Sequence, residues 1–143
     1  MKKKATELSV ELIVMPRINE LELVALVRHA HALIAVARTE GFGLTPMEAV
    51  MVNTPALVVD EAGFTHTITD GWNGRRLPWP TDEDSIQQWV EAIEQAGLET
   101  NREQWSKAGR ERILERFSSN HQAEGLARGL ATISYTHLRA HET

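Results

Sequence analysis

Apolar residues fall into two rhythms along this chain: short uninterrupted runs, and longer stretches in which they return every third or fourth position. Residues 11–15, Glu-Leu-Ile-Val-Met, are closed by Pro16 and read as a buried strand. Ile18, Leu21, Val24, Leu26, Val27 and Ala30 follow at helical spacing, with Glu20, Glu22 and Arg28 on the other face. Residues 33–37 read as a second buried strand, and Gly41 and Gly43 punctuate the turn into a helix from Pro46 to about Val52. Residues 56–60 read as a third strand. Beyond the turn-forming Asp70-Gly-Trp-Asn-Gly74, Arg75–Pro78 predicts a short edge strand, because proline serves no central ladder. A helix follows, with Ile86, Trp89, Val90, Ile93 and Ala96 on one face and Gly97 as its stop. Trp105, Ala108, Arg112, Ile113 and Phe117 trace another, and a last helix is predicted from about Asn120 to Ile133. Strands of about five apolar residues alternating with helices imply a parallel α/β sheet with helices on both faces, a Rossmann-like domain over residues 7–133.

Composition narrows the picture. The 143 residues are 42% hydrophobic, enough for one core of ordinary size. Fifteen Lys plus Arg against 20 Asp plus Glu give a net charge of −5, without the broad positive field that nucleic acid or an anionic membrane requires. The longest apolar run, Ala32 to Ala37, is too short to cross a bilayer. Lys2, Lys3 and Lys4 begin like a signal peptide, but Glu7, Ser9 and Glu11 interrupt any apolar core. Cysteine is absent, which excludes disulfides, thiolate zinc sites and a cysteine nucleophile and fits a cytoplasmic location. Residues 134–143 continue no period and resemble a translated sequencing-adapter remnant, so they are taken as a non-native tail.

The richest chemistry lies between the second strand and its helix, in Glu40-Gly-Phe-Gly-Leu-Thr-Pro-Met-Glu48. In an open parallel sheet, ligands bind beyond the carboxyl ends of the strands, where this loop falls. Gly41 and Gly43 permit close backbone approach or positive φ, and a helix start near Thr45 offers free N–H groups to a phosphate. Glycines in such turns also serve geometry alone. Glu48 has two readings, a ligand-binding carboxylate or the far end of a Thr45-Pro-Met-Glu48 capping box. Glu40, directly after a strand and before two glycines, has no such local role in the sequence and reads as functional.

These residues, with Asn53-Thr-Pro-Ala-Leu-Val58, Ala62-Gly-Phe-Thr-His-Thr-Ile68 and Asp70-Gly-Trp-Asn-Gly74, resemble the retaining nucleotide-sugar glycosyltransferases of GT-B fold, group 1, in their C-terminal donor-binding domain. The resemblance implies that Glu40 contacts donor-sugar hydroxyls as the catalytic-site carboxylate and that Glu48 holds the ribose. The loop Gly41, Phe42, Gly43, Leu44 and Thr45 then lines the substrate, with the N–H groups of Phe42, Gly43 and Leu44 near sugar and diphosphate. It implies a nucleoside-diphosphate sugar as donor substrate, no cofactor and no metal. Asn53 stands where the family usually has glycine, Ala62 replaces the first of two glycines, and His66 replaces a common glutamate. The Arg and Lys that neutralise the diphosphate, and the preceding acceptor-binding domain, are not recognisable. The chain therefore reads as a truncated donor domain, inactive as a transferase by itself. The alternative is a non-catalytic nucleotide-sugar-binding or interaction module of the same fold.

Other constellations are read as structural. Asp82-Glu-Asp84 spells a metal-binding Asp-x-Asp but opens a helix, where acidic residues cap. His29 and His31 are too close in sequence to share a helical face as zinc ligands. Trp89 and Trp105 sit on apolar helical faces and read as core, whereas Trp72 and Trp79 flank a turn.

Overall fold

The computed structural model describes residues 2–15, 17–61 and 63–116; the helix expected at 120–133, Phe117 and the tail lie outside them. Within them the elements run α1 (Lys2–Glu7), α2 (Glu20–His29), β1 (Leu33–Ala35), α3 (Leu44–Met51), β2 (Ala56–Val59), α4 (Phe64–Thr67), β3 (Arg75–Leu77), α5 (Glu83–Ala96) and α6 (Glu99–Arg116). The described strands form one parallel sheet in the order β1-β2-β3, with Ile34 beside Leu57 and Val58 beside Arg76. This is the α/β architecture expected from the alternating pattern. β2 is central and buried at every position, so both of its faces are covered. β3 is the short edge strand that Pro78 predicted.

The core gathers on β2. Leu57, Val58 and Val59 pack with Val50 of α3, Phe64 of α4, Trp89, Ala92 and Ala96 of α5, and Trp105 of α6. Trp89 is held in register by its indole N–H, which donates to the Pro78 carbonyl at 2.8 Å. Trp89 and Trp105 are core residues, as their helical positions imply. α6 crosses α3 closely: a Cβ on Gly109 would run into the side chain of Val50.

Four burial expectations are corrected. Residues 11–15 form no strand and are exposed, Ile13 by 67%. An extended segment needs a ladder partner, and the segment is not paired with β1. β1 is a strand, but an edge one, with Ile34 half exposed. On α5, Ile86 and Val90 face outward, because the inward stripe is Ser85, Trp89, Ala92 and Ala96, whose small alanines let the helix sit close to the sheet. α2 forms as expected, opened by a capping box in which the Asn19 side chain accepts from the Glu22 N–H and the Glu22 carboxylate from the Asn19 N–H, yet none of its residues is buried.

The 70–74 turn is built on a buried amide. Asn73 Nδ2 donates to the Thr67 carbonyl at 2.9 Å, and its Oδ1 accepts from the Thr69 N–H at 2.6 Å. Gly74, at φ +155, brings the chain so near the Ala56 carbonyl that a Cβ would stand 2.5 Å from it. Asn73→Ala is expected to destabilise the fold by about 1–3 kcal/mol for each backbone group left unpaired, checked by denaturant unfolding.

Candidate functional site

The loop between β1 and α3 turns on Gly43. It is the N-cap of α3, at φ +82 and ψ +47, a left-handed conformation that a β-branched residue resists. Its Cα faces the interior: a Cβ there would stand 2.8 Å from Thr67 Oγ1 and 3.1 Å from the Phe64 ring. Because the helix starts at Leu44, Thr45 is already inside it and the capping box Thr45-Pro-Met-Glu48 does not form; Gly43 makes no side-chain cap. Pro46 falls in the first turn, where its missing N–H costs nothing. Glu48 is thus released from its structural reading. It is exposed and, among the described residues, has no hydrogen-bond or ion-pair partner.

Glu40 takes the local role instead. Its Oε1 accepts from the backbone N–H of Gly43 at 2.8 Å and of Phe42 at 3.2 Å. Those donors, with that of Gly41, hold its carboxyl below the ordinary carboxylate range against a smaller opposing effect of desolvation. A depressed carboxyl adds stability that is in place above its unfolded value and is lost as pH falls through its folded one, so this loop loosens only in acid. The sequence expectation that Glu40 lacks a local partner is therefore corrected. Two of the amides expected to approach a diphosphate, those of Phe42 and Gly43, are satisfied here by a carboxylate.

A second chain segment supports the loop from below. The Gly63 N–H donates to the Glu40 carbonyl at 3.0 Å, and a Cβ on Gly63 would lie 2.5 Å from the Phe42 nitrogen and 2.6 Å from the Glu40 oxygen. The sequence shows Gly63 and Thr67 only as members of one motif, with no signal of this close packing. Phe42, Leu44 and Thr45 face outward with Gly41, around which a Cβ would meet open space.

Glu48 opens onto a groove of about 500 Å³ between α2 and α3, floored by Leu33 and lined also by Glu20, Val24, Thr45 and Val52. In the sequence Glu20 falls on the polar face of α2; its place across the groove from α3 depends on topology that no local pattern encodes. The groove exists because α2 is tied at its C-terminal end. Arg102 donates to the carbonyls of Ala30 and Arg28, both at 2.9 Å, and Thr54 donates to that of Val27.

The remaining candidates have structural partners. Asp82 caps α5, accepting from the Ser85 N–H at 2.8 Å, which accounts for the Asp-x-Asp spelling. His29 Nδ1 donates to Ala25 within α2, whereas His31 Nε2 donates to Ile93 of α5, so the two histidines serve different elements. Arg75 pairs with Asp70 at 2.9 Å and Arg76 with Asp60 at 3.5 Å. Arg38 lies 4.7 Å over the Trp79 ring, and Arg112 lies 5.9 Å from that of Trp72. His66 is exposed, and Asn53 adopts φ +70 after α3, the left-handed conformation expected of it. Among the described residues no group of His, Asp and Glu is arranged to hold a metal, and no helix is long and apolar enough to cross a membrane.

Comparison with known proteins bears on the same region. A family model described as glycosyl transferases group 1 matches residues 1–112. The chain is 30% identical over 104 residues to the alpha-1,3/1,6-mannosyltransferase alg-2 of Neurospora crassa, covering 71% of this chain and 21% of that protein. It is 40% identical over 77 residues to the O-antigen chain mannosyltransferase RfbU of Salmonella typhimurium, covering 54% of this chain and 20% of that protein. The alpha-1,3/1,6-mannosyltransferase ALG2 of Candida albicans is 26% identical over 123 residues, 28% of its length. The chain thus spans about a fifth to a quarter of the curated relatives it matches.

Proposed function

Since the chain belongs to the group 1 glycosyltransferase family, we propose that it is the donor-binding part of a retaining enzyme that moves a sugar from a nucleoside-diphosphate sugar to an acceptor. The names of its relatives make mannose the favoured sugar. The observation that carries the reading is the division of labour between two carboxylates on one loop and helix. Glu40 grips the backbone amides at the loop, and Glu48, without a partner among the described residues, stands on a groove of about 500 Å³.

In this reading the Glu48 carboxylate accepts hydrogen bonds from the ribose hydroxyls. The diphosphate lies against the start of α3, where the helix dipole and the N–H groups of Phe42, Gly43 and Leu44 favour negative charge. Donor entry exchanges one oxyanion for another: phosphate oxygens take over the Phe42 and Gly43 N–H groups, and Glu40 is freed to accept from the sugar hydroxyls. As the glycosidic bond breaks, charge grows on the departing diphosphate, and amides already aimed at it lower the barrier without reorganising. The family reading places the acceptor on other parts of the enzyme. No metal or cofactor is called on.

Glu48→Ala tests the reading cleanly, because the residue caps nothing in the fold. The variant is expected to melt within about 0.5 kcal/mol of the parent, as exposed substitutions do. Its affinity for nucleoside diphosphate is expected to fall by about 1.5–3 kcal/mol, the range for hydrogen bonds to a charged group. Unchanged affinity in calorimetry would remove Glu48 from the site.

A further inference from the structure

An open sheet edge and an apolar segment without a sheet occur together in this chain. Among the described residues β1 is the last strand on its side. The Leu33 N–H points to β2, donating to the Pro55 carbonyl at 2.8 Å, so the next residue along the alternating backbone, Ile34, offers its N–H and carbonyl to the open side. Natural edges are blunted by lysine, proline or a bulge, yet residues 32–37, Ala-Leu-Ile-Ala-Val-Ala, carry no charge and no proline. Residues 11–15 have the complementary need. Leu12, Ile13, Val14 and Met15 would be apolar on both faces of an extended backbone, and all four are exposed and join no ladder.

The helix that joins them is also uncovered. None of the ten residues of α2 is buried, and Leu21 is 84% exposed, although a helix this short draws its stability from packing more than from propensity. α2 flanks β1 across the groove floored by Leu33, so a strand laid along the open edge comes within reach of its apolar side chains. Within one copy the segment and the edge do not meet, though only α2 and two short links separate them. We infer that two copies of the chain exchange strands: each lends residues 11–15 to the β1 edge of its mate, and the pair closes about a twofold axis. The exchange pairs the outward backbone groups of β1 and buries the apolar run in one step. It calls on no residue of the 40–48 loop and stands apart from the donor reading.

Sedimentation equilibrium of the 143-residue chain tests it, with one variant on each side of the contact. The parent is expected to reach twice the mass of one chain and to grow no further. Ile13→Asp alters the lent segment at a side chain that is exposed in the single copy. Ile34→Pro removes only the outward N–H of the edge, since Leu33 and Ala35 face β2. Each variant is expected to raise the dissociation constant about a hundredfold or more, the loss expected for a residue at the centre of an interface. An equimolar mixture of the two is expected to recover dimer at concentrations where neither associates by itself, because one sound segment then meets one sound edge. A parent that stays monomeric up to about 100 μM overturns the inference, as does a dimer that survives both variants. Growth beyond the dimer, or a mixture that recovers nothing, overturns reciprocal exchange as well.

Discussion

Gly63→Ala is expected to damage the protein more than its single methyl group suggests. The added carbon would stand 2.5 Å from the Phe42 nitrogen and 2.6 Å from both the Glu40 oxygen and the Gly41 carbonyl carbon. All three are backbone atoms, which cannot rotate aside as a side chain can. The segment before α4 must move away from the loop, breaking the bond from the Gly63 N–H to the Glu40 carbonyl. Overpacking of this kind costs about 1–3 kcal/mol, and the loop that carries Glu40 and Gly43 loses its support with it. Gly41→Ala is the matched control. Its Cβ meets nothing within 4 Å and its φ is not positive, so stability is expected to change by less than about 0.5 kcal/mol. Thermal unfolding of the two variants side by side checks the contrast; equal melting temperatures would show that the loop does not rest on Gly63.

Glu40→Gln should separate recognition of the sugar from recognition of the nucleotide. The neutral amide oxygen is a weaker acceptor for the Phe42 and Gly43 N–H groups than a carboxylate, so phosphate displaces it more easily. Nucleoside diphosphate is therefore expected to bind as well as, or better than, it does to the parent chain. A nucleotide sugar loses the charged acceptor for its hydroxyls and is expected to bind about tenfold more weakly relative to the diphosphate alone. In the whole enzyme the same change lowers turnover more than nucleotide affinity, because the contact is made to the reacting sugar while Glu48 holds the remote ribose. Competition titrations with paired diphosphate and sugar-diphosphate ligands measure the ratio. A ratio unchanged from the parent would leave Glu40 as a loop brace only.

The sheet was legible where burial and local signals agreed. Residues 56–59 are apolar, bounded by turn formers and buried on both faces, so run and strand coincide. α5 announced itself through Asp82 and Gly97 at its ends. Apolarity misled at residues 11–15, since it registers a wish for burial and says nothing about which edge will supply the ladder. The start of α3 was misplaced by two residues because Thr-Pro spells a helix entrance, whereas a left-handed Gly43 enters earlier. That shift decides the local roles of the two glutamates: the capping box that is one reading of Glu48 does not form, and Glu40, which has no local role in the sequence, braces the loop. Gly63 gains its importance from packing made across the chain, against the loop at 40–42, and no local spacing marks it.

Whether residues 40–48 form a donor site is read most directly from the backbone amide signals of the 15N-labelled chain as a nucleoside diphosphate is added. Saturable shifts at Phe42, Gly43 and Leu44, together with Thr45 and Glu48 across the mouth of the groove, are the expected result. Saturable binding that leaves those amides unmoved and shifts residues elsewhere would contradict it.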